Sequence, residues 1–139
     1  MKGKWKGMEV KSKENNIKVE NNLMQIIKGV LISLLSTIIL LFIFSAILTY
    51  TNLSESFVSP VIIVLTGVSI FIGSSISNIK IKRNGLLNGA LIGGIYIIMI
   101  YILSSSISMN FSINFETLIL ILTGMFCGII GGILGVNKK

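Results

Sequence analysis

A chain of 139 residues that is 53% hydrophobic and only 12% charged, with a mean hydropathy of +0.90, is too apolar for a soluble domain and falls in the membrane class. It has no His and no Asp, its five acids are all Glu, and Cys127 is alone, which excludes an intrachain disulfide and a Cys/His metal cluster. The net charge of +7 does not mark a nucleic-acid binder, because all twelve Lys and Arg flank apolar runs and only Trp5 accompanies the first lysines.

In chain order, residues 1–28 carry seven Lys beside Glu9, Glu14 and Glu20. With little apolar content to bury, this stretch reads as a basic, cytoplasmic, largely disordered tail. Residues 29–50, "GVLISLLSTIILLFIFSAILTY", hold no charge, and about 20 residues suffice to cross a hydrocarbon core of roughly 30 Å. The run starts too late and is too long for a cleaved signal peptide, so it reads as a retained helix. A second span is expected at 57–79, with Pro60 in its first turn, where the missing N–H has no intrahelical partner in any case. The basic turn of Lys80, Lys82 and Arg83 follows, then spans at 86–106 and 115–136, and a short end at 137–139 with Lys138 and Lys139. Segments 51–56 and 107–114 contain no Lys or Arg. Lys80, Lys82 and Arg83 are therefore topology determinants, and the bias of basic residues puts both termini and the middle turn in the cytoplasm.

The fold class is all-α, an integral membrane protein of four transmembrane helices, read as two similar helical hairpins. "LTG" recurs at 65–67 and 122–124, and "KGVLI" at 28–32 resembles "NGALI" at 88–92. Such a parallel repeat relates its halves about an axis along the membrane normal.

Small residues recur at helical spacing. Gly85, Gly89 and Gly93 share one stripe of span three, together with Ile92 and Tyr96; Gly124, Gly128, Gly131, Gly132 and Gly135 share one of span four. Span two offers a softer version in Ser69, Gly73 and Ser77. These are helix-packing faces that let backbones approach in lipid, not a nucleotide loop, which needs G-x-G-x-x-G between a strand and a helix. Contact within one chain, and association with a second copy or another membrane protein, both remain open from this pattern.

Catalytic constellations are missing: there is no G-x-S-x-G, no H-E-x-x-H, no His base and no Asp dyad. No enzyme activity and no cofactor or metal are expected. No ionisable group lies deep in a span, as proton or ion pathways usually require. The candidate lumen or polar contacts are Asn88, Thr66, Thr123 and Glu116. Each has a plainer reading: interhelical glue for Asn88, a bond to the preceding turn for the threonines, and a favourable place at a helix N-terminus for Glu116. Tyr101 suits the outer interface, and Tyr96 suits a packing anchor.

The segment "RNGLLNGALIGGIYIIMIYILS", residues 83–104, with its basic turn followed by "NGLLNGALIG", resembles a family of small four-helix membrane proteins from clostridia and bacilli catalogued as a domain of unknown function. The resemblance spans about residues 22–136. It implies a bacterial plasma-membrane protein and a place beside membrane export machinery, and it supplies no activity. The expected function is a non-enzymatic interaction or accessory subunit, packed through its glycine faces and associated with the bilayer, a second copy or a membrane partner. The alternative is a small channel or transporter built from two repeated hairpins.

Overall fold

The computed structural model describes residues 1–52, 54–109 and 114–138, except for the Glu116 side chain. It comprises α1 (Lys2–Tyr50), a 3₁₀ turn (Glu55–Phe57), α2 (Val58–Ile81), α3 (Gly85–Ser108) and α4 (Phe115–Asn137). All four α-helices are long and apolar enough to cross a membrane, so the chain is an all-α, multi-pass membrane protein. Long Ile- and Leu-rich runs become helices because a lipid core offers no water to satisfy backbone N–H and C=O groups, and a helix satisfies them within the segment.

The first element differs from the expectation of a disordered tail. Residues 2–28 continue α1 without a break, and positions 1–24 are exposed on every side. The local sequence supports this: Glu9 stands four residues before Lys13, and Glu14 four before Lys18, the more favourable order for helical ion pairs. No Pro interrupts the stretch, and the apolar span behind it supplies the nucleus from which the helix extends.

The helices alternate in direction. The N-terminal half of α1, the 82–84 turn and the C-terminus of α4 share one end of the bundle, called here the basic end. That turn is tight: Lys82 and Asn84 both adopt left-handed backbone, with φ of 52° and 51°, and the Lys82 N–H closes α2 on the Asn78 carbonyl at 3.1 Å.

Helix α2 is central, packing against α1, α3 and α4. Helix α3 also packs on α4, whereas α1 reaches α2 and α3 but not α4. The interior is unlike a soluble core. Ile70, Ile92 and Tyr96 are fully buried, but so are Ser33, Ser69, Ser74 and Asn78. Ile38, Ile39, Phe42 and Ile43 of α1, like most large aliphatic side chains, face outward, where acyl chains cover them at no hydrophobic cost. The recurring "LTG" triplets do not occupy matching contacts. A methyl group on Gly67 meets Cys127, whereas one on Gly124 meets Ile97.

Candidate functional site

The glycines of α3 and α4 meet one another inside the chain. A methyl group placed on Gly89 would overlap the Gly128 carbonyl oxygen, one on Gly93 would overlap that of Gly124, and one on Gly85 would overlap that of Gly132. The remaining α4 glycines serve a different neighbour. A methyl on Gly131 would stand 2.6 Å from the Phe71 carbonyl oxygen of α2, and one on Gly135 would overlap the Ser75 carbonyl oxygen. The single α4 stripe read from the sequence is thus two adjoining faces, because two helices lie beside α4 at different angles.

Helix α2 joins both sides through hydroxyls. Ser74 Oγ donates to the Gly128 carbonyl at 2.7 Å and Ser75 Oγ to the Gly131 carbonyl at 3.0 Å, both on α4. Ser77 Oγ donates to the Gln25 carbonyl of α1 at 2.6 Å. On α1, Gly29, Ser33 and Thr37 form a further small stripe. A methyl on Gly29 would stand 2.8 Å from Ser77 Cβ, and Thr37 Oγ1 donates to the Ser33 carbonyl at 2.8 Å. That leaves the Tyr96 hydroxyl to donate to Thr37 Oγ1 at 2.6 Å, tying α3 to α1. Asn78 donates to the Ser74 carbonyl at 2.8 Å, but its Oδ1 is buried without a partner.

Interhelical hydrogen bonds in membranes are worth about 0.6 kcal/mol on average and up to about 1.7 kcal/mol. Ser74→Ala and Ser77→Ala should each destabilise the bundle by that amount. The hydroxyls bond different helices, so each loss should be visible in its own single variant by detergent-titrated unfolding.

Close approach is confined to the basic-end half. Beyond Gly93 the facing residues become Ile97, Ile100 and Tyr101 on α3 and Leu120 on α4. These cannot nest as glycines do, and the space between α2, α3 and α4 widens into a crevice of about 790 Å³ at the opposite end. Thr66 and Thr123 lie at its deep end, and Ser59, Ser104, Ser108, Asn114 and Thr117 line its outer part. No Lys, Arg, Asp or Glu stands among its described lining residues. Toward the basic end it stops where the glycine faces meet.

Thr123 Oγ1 is spent on the Ile119 carbonyl at 2.8 Å, in its own helix. Asn88 is not among the described residues that line the crevice. Its Nδ2 donates to the Arg83 carbonyl at 2.9 Å, closing the α2–α3 turn, because a side chain one turn into α3 reaches the unsatisfied carbonyls before it. The proposed role of the Glu116 side chain lies outside the described residues. Lys80, Lys82 and Arg83 sit at the basic end, with Lys82 and Arg83 exposed in the turn. Tyr96 is buried as an anchor, and Tyr101 lines the crevice, its hydroxyl buried and unpaired among the described residues. Sequence reasoning missed the hydroxyl ladder. The signal was present in "SSISN" at 74–78 and in Gly29, Ser33 and Thr37 at intervals of four.

No curated protein matches this chain, and no solved structure does. A family model does match, over residues 22–135, which takes in all of α2 and α3, nearly all of α4 and the membrane-spanning part of α1. The glycine seam, the hydroxyl ladder and the crevice therefore all lie within the matched region, and the chain belongs to the family described as "Protein of unknown function (DUF3792)".

Proposed function

We propose that this chain is a non-enzymatic accessory protein of a bacterial plasma membrane, with both termini cytoplasmic, and that it meets its partner through the first part of α1. One observation carries the reading. Helix α1 runs without a break from Gly29, Ser33 and Thr37, buried against its neighbours, into residues 1–24, which are exposed all round. This stretch carries six Lys against three Glu, so it suits an acidic protein surface. The glycine faces, in contrast, are occupied within the chain. The matched family region starts at residue 22, so the exposed helix is an extension to the common bundle.

Charge reversal in the full-length chain tests this. The variant K4E/K6E/K11E/K13E should keep the parent's unfolding transition, because none of these lysines contacts the bundle. It should lose most of the crosslinked, co-purifying partner recovered from gently solubilised membranes. Recovery of parent and variant alike as lone monomers after crosslinking would overturn the proposal.

A passage is the second reading, favoured by Thr66 and Thr123 both lining the crevice. It requires the glycine seam to part. Solute flux in liposomes that falls in T66V/T123V would support it over the accessory role.

A further inference from the structure

We infer that the crevice at the end opposite the basic turn binds an uncharged glycerolipid of the diacylglycerol type, taken from the adjoining leaflet. This inference is independent of the partner reading, since the crevice and the exposed part of α1 lie at opposite ends of the bundle.

The volume, about 790 Å³, is within the range of small-ligand sites, which combine apolar walls with a few placed polar groups. The distribution of those groups selects the ligand. Ser59 is at the start of α2, Ser104 and Ser108 at the end of α3, and Asn114 and Thr117 at the start of α4, so the outer rim offers hydroxyl and amide groups. Four residues deeper on α2, and about eleven on α3, roughly 6–16 Å at 1.5 Å per residue, the walls are mostly apolar, with Ile63, Ile97 and Leu120 beside Thr66 and Thr123, the latter's hydroxyl already held by the Ile119 carbonyl. A ligand that fits has a hydrogen-bonding head at the rim and hydrocarbon below it.

Two further observations narrow the head group. The described lining holds no charged side chain, and a phosphate carried into such a site has no counter-charge to offset its desolvation. An uncharged head of hydroxyl and esters meets no such penalty. Between rim and floor, the Tyr101 hydroxyl is buried with no hydrogen-bond partner. It is a donor awaiting an acceptor, and a glycerolipid ester carbonyl seated in the crevice supplies one. The walls are also open to lipid: Ile63 is 43% and Leu120 39% exposed, so acyl chains longer than the crevice continue into the bilayer.

The test reconstitutes the full-length protein in phosphatidylethanolamine and phosphatidylglycerol vesicles containing either a photoactivatable diacylglycerol or a photoactivatable phosphatidylglycerol. Labelled residues are mapped after illumination. The diacylglycerol probe should label the far-end halves of α2, α3 and α4. Tyr101→Phe, which removes one hydroxyl and little volume, should reduce that labelling about three- to tenfold, the worth of one hydrogen bond. Leu120→Trp should reduce it further by filling the crevice. Equal labelling of the crevice by the phosphatidylglycerol probe would overturn the uncharged head. Parent-level labelling in Leu120→Trp with an unchanged unfolding transition would overturn the site, and should that variant not fold, parent-level labelling in Tyr101→Phe would do so.

Discussion

Gly89→Ala should destabilise the four-helix bundle by about 1–3 kcal/mol, whereas Gly94→Ala, five residues on in the same helix, should be neutral or stabilising by up to about 1 kcal/mol. Both substitutions replace a helical glycine by the best helix former, so propensity alone predicts the same gain at each. Their surroundings reverse the outcome at Gly89. A methyl there overlaps the carbonyl oxygen of Gly128, a backbone atom of α4 that cannot rotate aside, and Gly132 Cα lies 3.1 Å away behind it. At Gly94 the nearest atom is Cγ of Met125, 3.8 Å away and at ordinary contact distance, on a side chain that readily adapts. Accommodating Gly89→Ala means pushing α3 off α4, which also opens the close approaches of Gly85 to Gly132 and of Gly93 to Gly124 and loses their packing. Detergent-titrated unfolding of the two variants side by side decides the matter. Equal stability would mean that the two helices do not meet through this face within the chain.

The second large effect is at Tyr96. Tyr96→Ala should cost about 3–5 kcal/mol, and Tyr96→Phe about 1 kcal/mol. The ring is fully buried in a cluster with Ile70 and Ile97, against which Leu34, Ile121 and Cys127 pack. That cluster draws side chains from all four helices, and removing the ring leaves a cavity that rigid glycine contacts nearby prevent from collapsing. In a membrane this loss is one of packing rather than of transfer from water, since the lipid outside is as apolar as the interior. Removing only the hydroxyl is mild because Thr37 keeps its own acceptor, the Ser33 carbonyl. Thermal unfolding in detergent should therefore rank parent, Tyr96→Phe and Tyr96→Ala in that order. A Phe variant as unstable as the Ala variant would make the Thr37 bond, not the ring, the principal contribution.

The hydroxyls raise a related point. Ser74, Ser75 and Ser77 sit on one helix yet bond outward to two, and Ser33 and Thr37 bond back into their own. A serine in an apolar run always has the option of bonding the carbonyl one turn earlier. Which serines bridge helices depends on how near a carbonyl of the next backbone lies: Ser74 and Ser75 reach Gly128 and Gly131, whose missing side chains let α2 approach, and Ser77 reaches Gln25. Between α2 and α4 the glycine and serine patterns are thus one device seen from two helices.

The number of spans was legible because lipid imposes a local rule: each apolar run must satisfy its own backbone, so its length and composition suffice to reveal it. The basic turn and the small-residue spacing were legible for the same local reason. Residues 1–28 depart from the disorder their composition suggests, because a stretch unable to bury a core can still prolong a helix that emerges from the membrane. The tertiary arrangement decided the rest. Glycine spacing marks a face but not its partner, so only the packed bundle shows α4 divided between α2 and α3, and α1 excluded from α4. The crevice had no signature in any single span. It arises where three helices held together by small residues at one end meet large ones at the other, and the space between elements depends on all of their side chains at once.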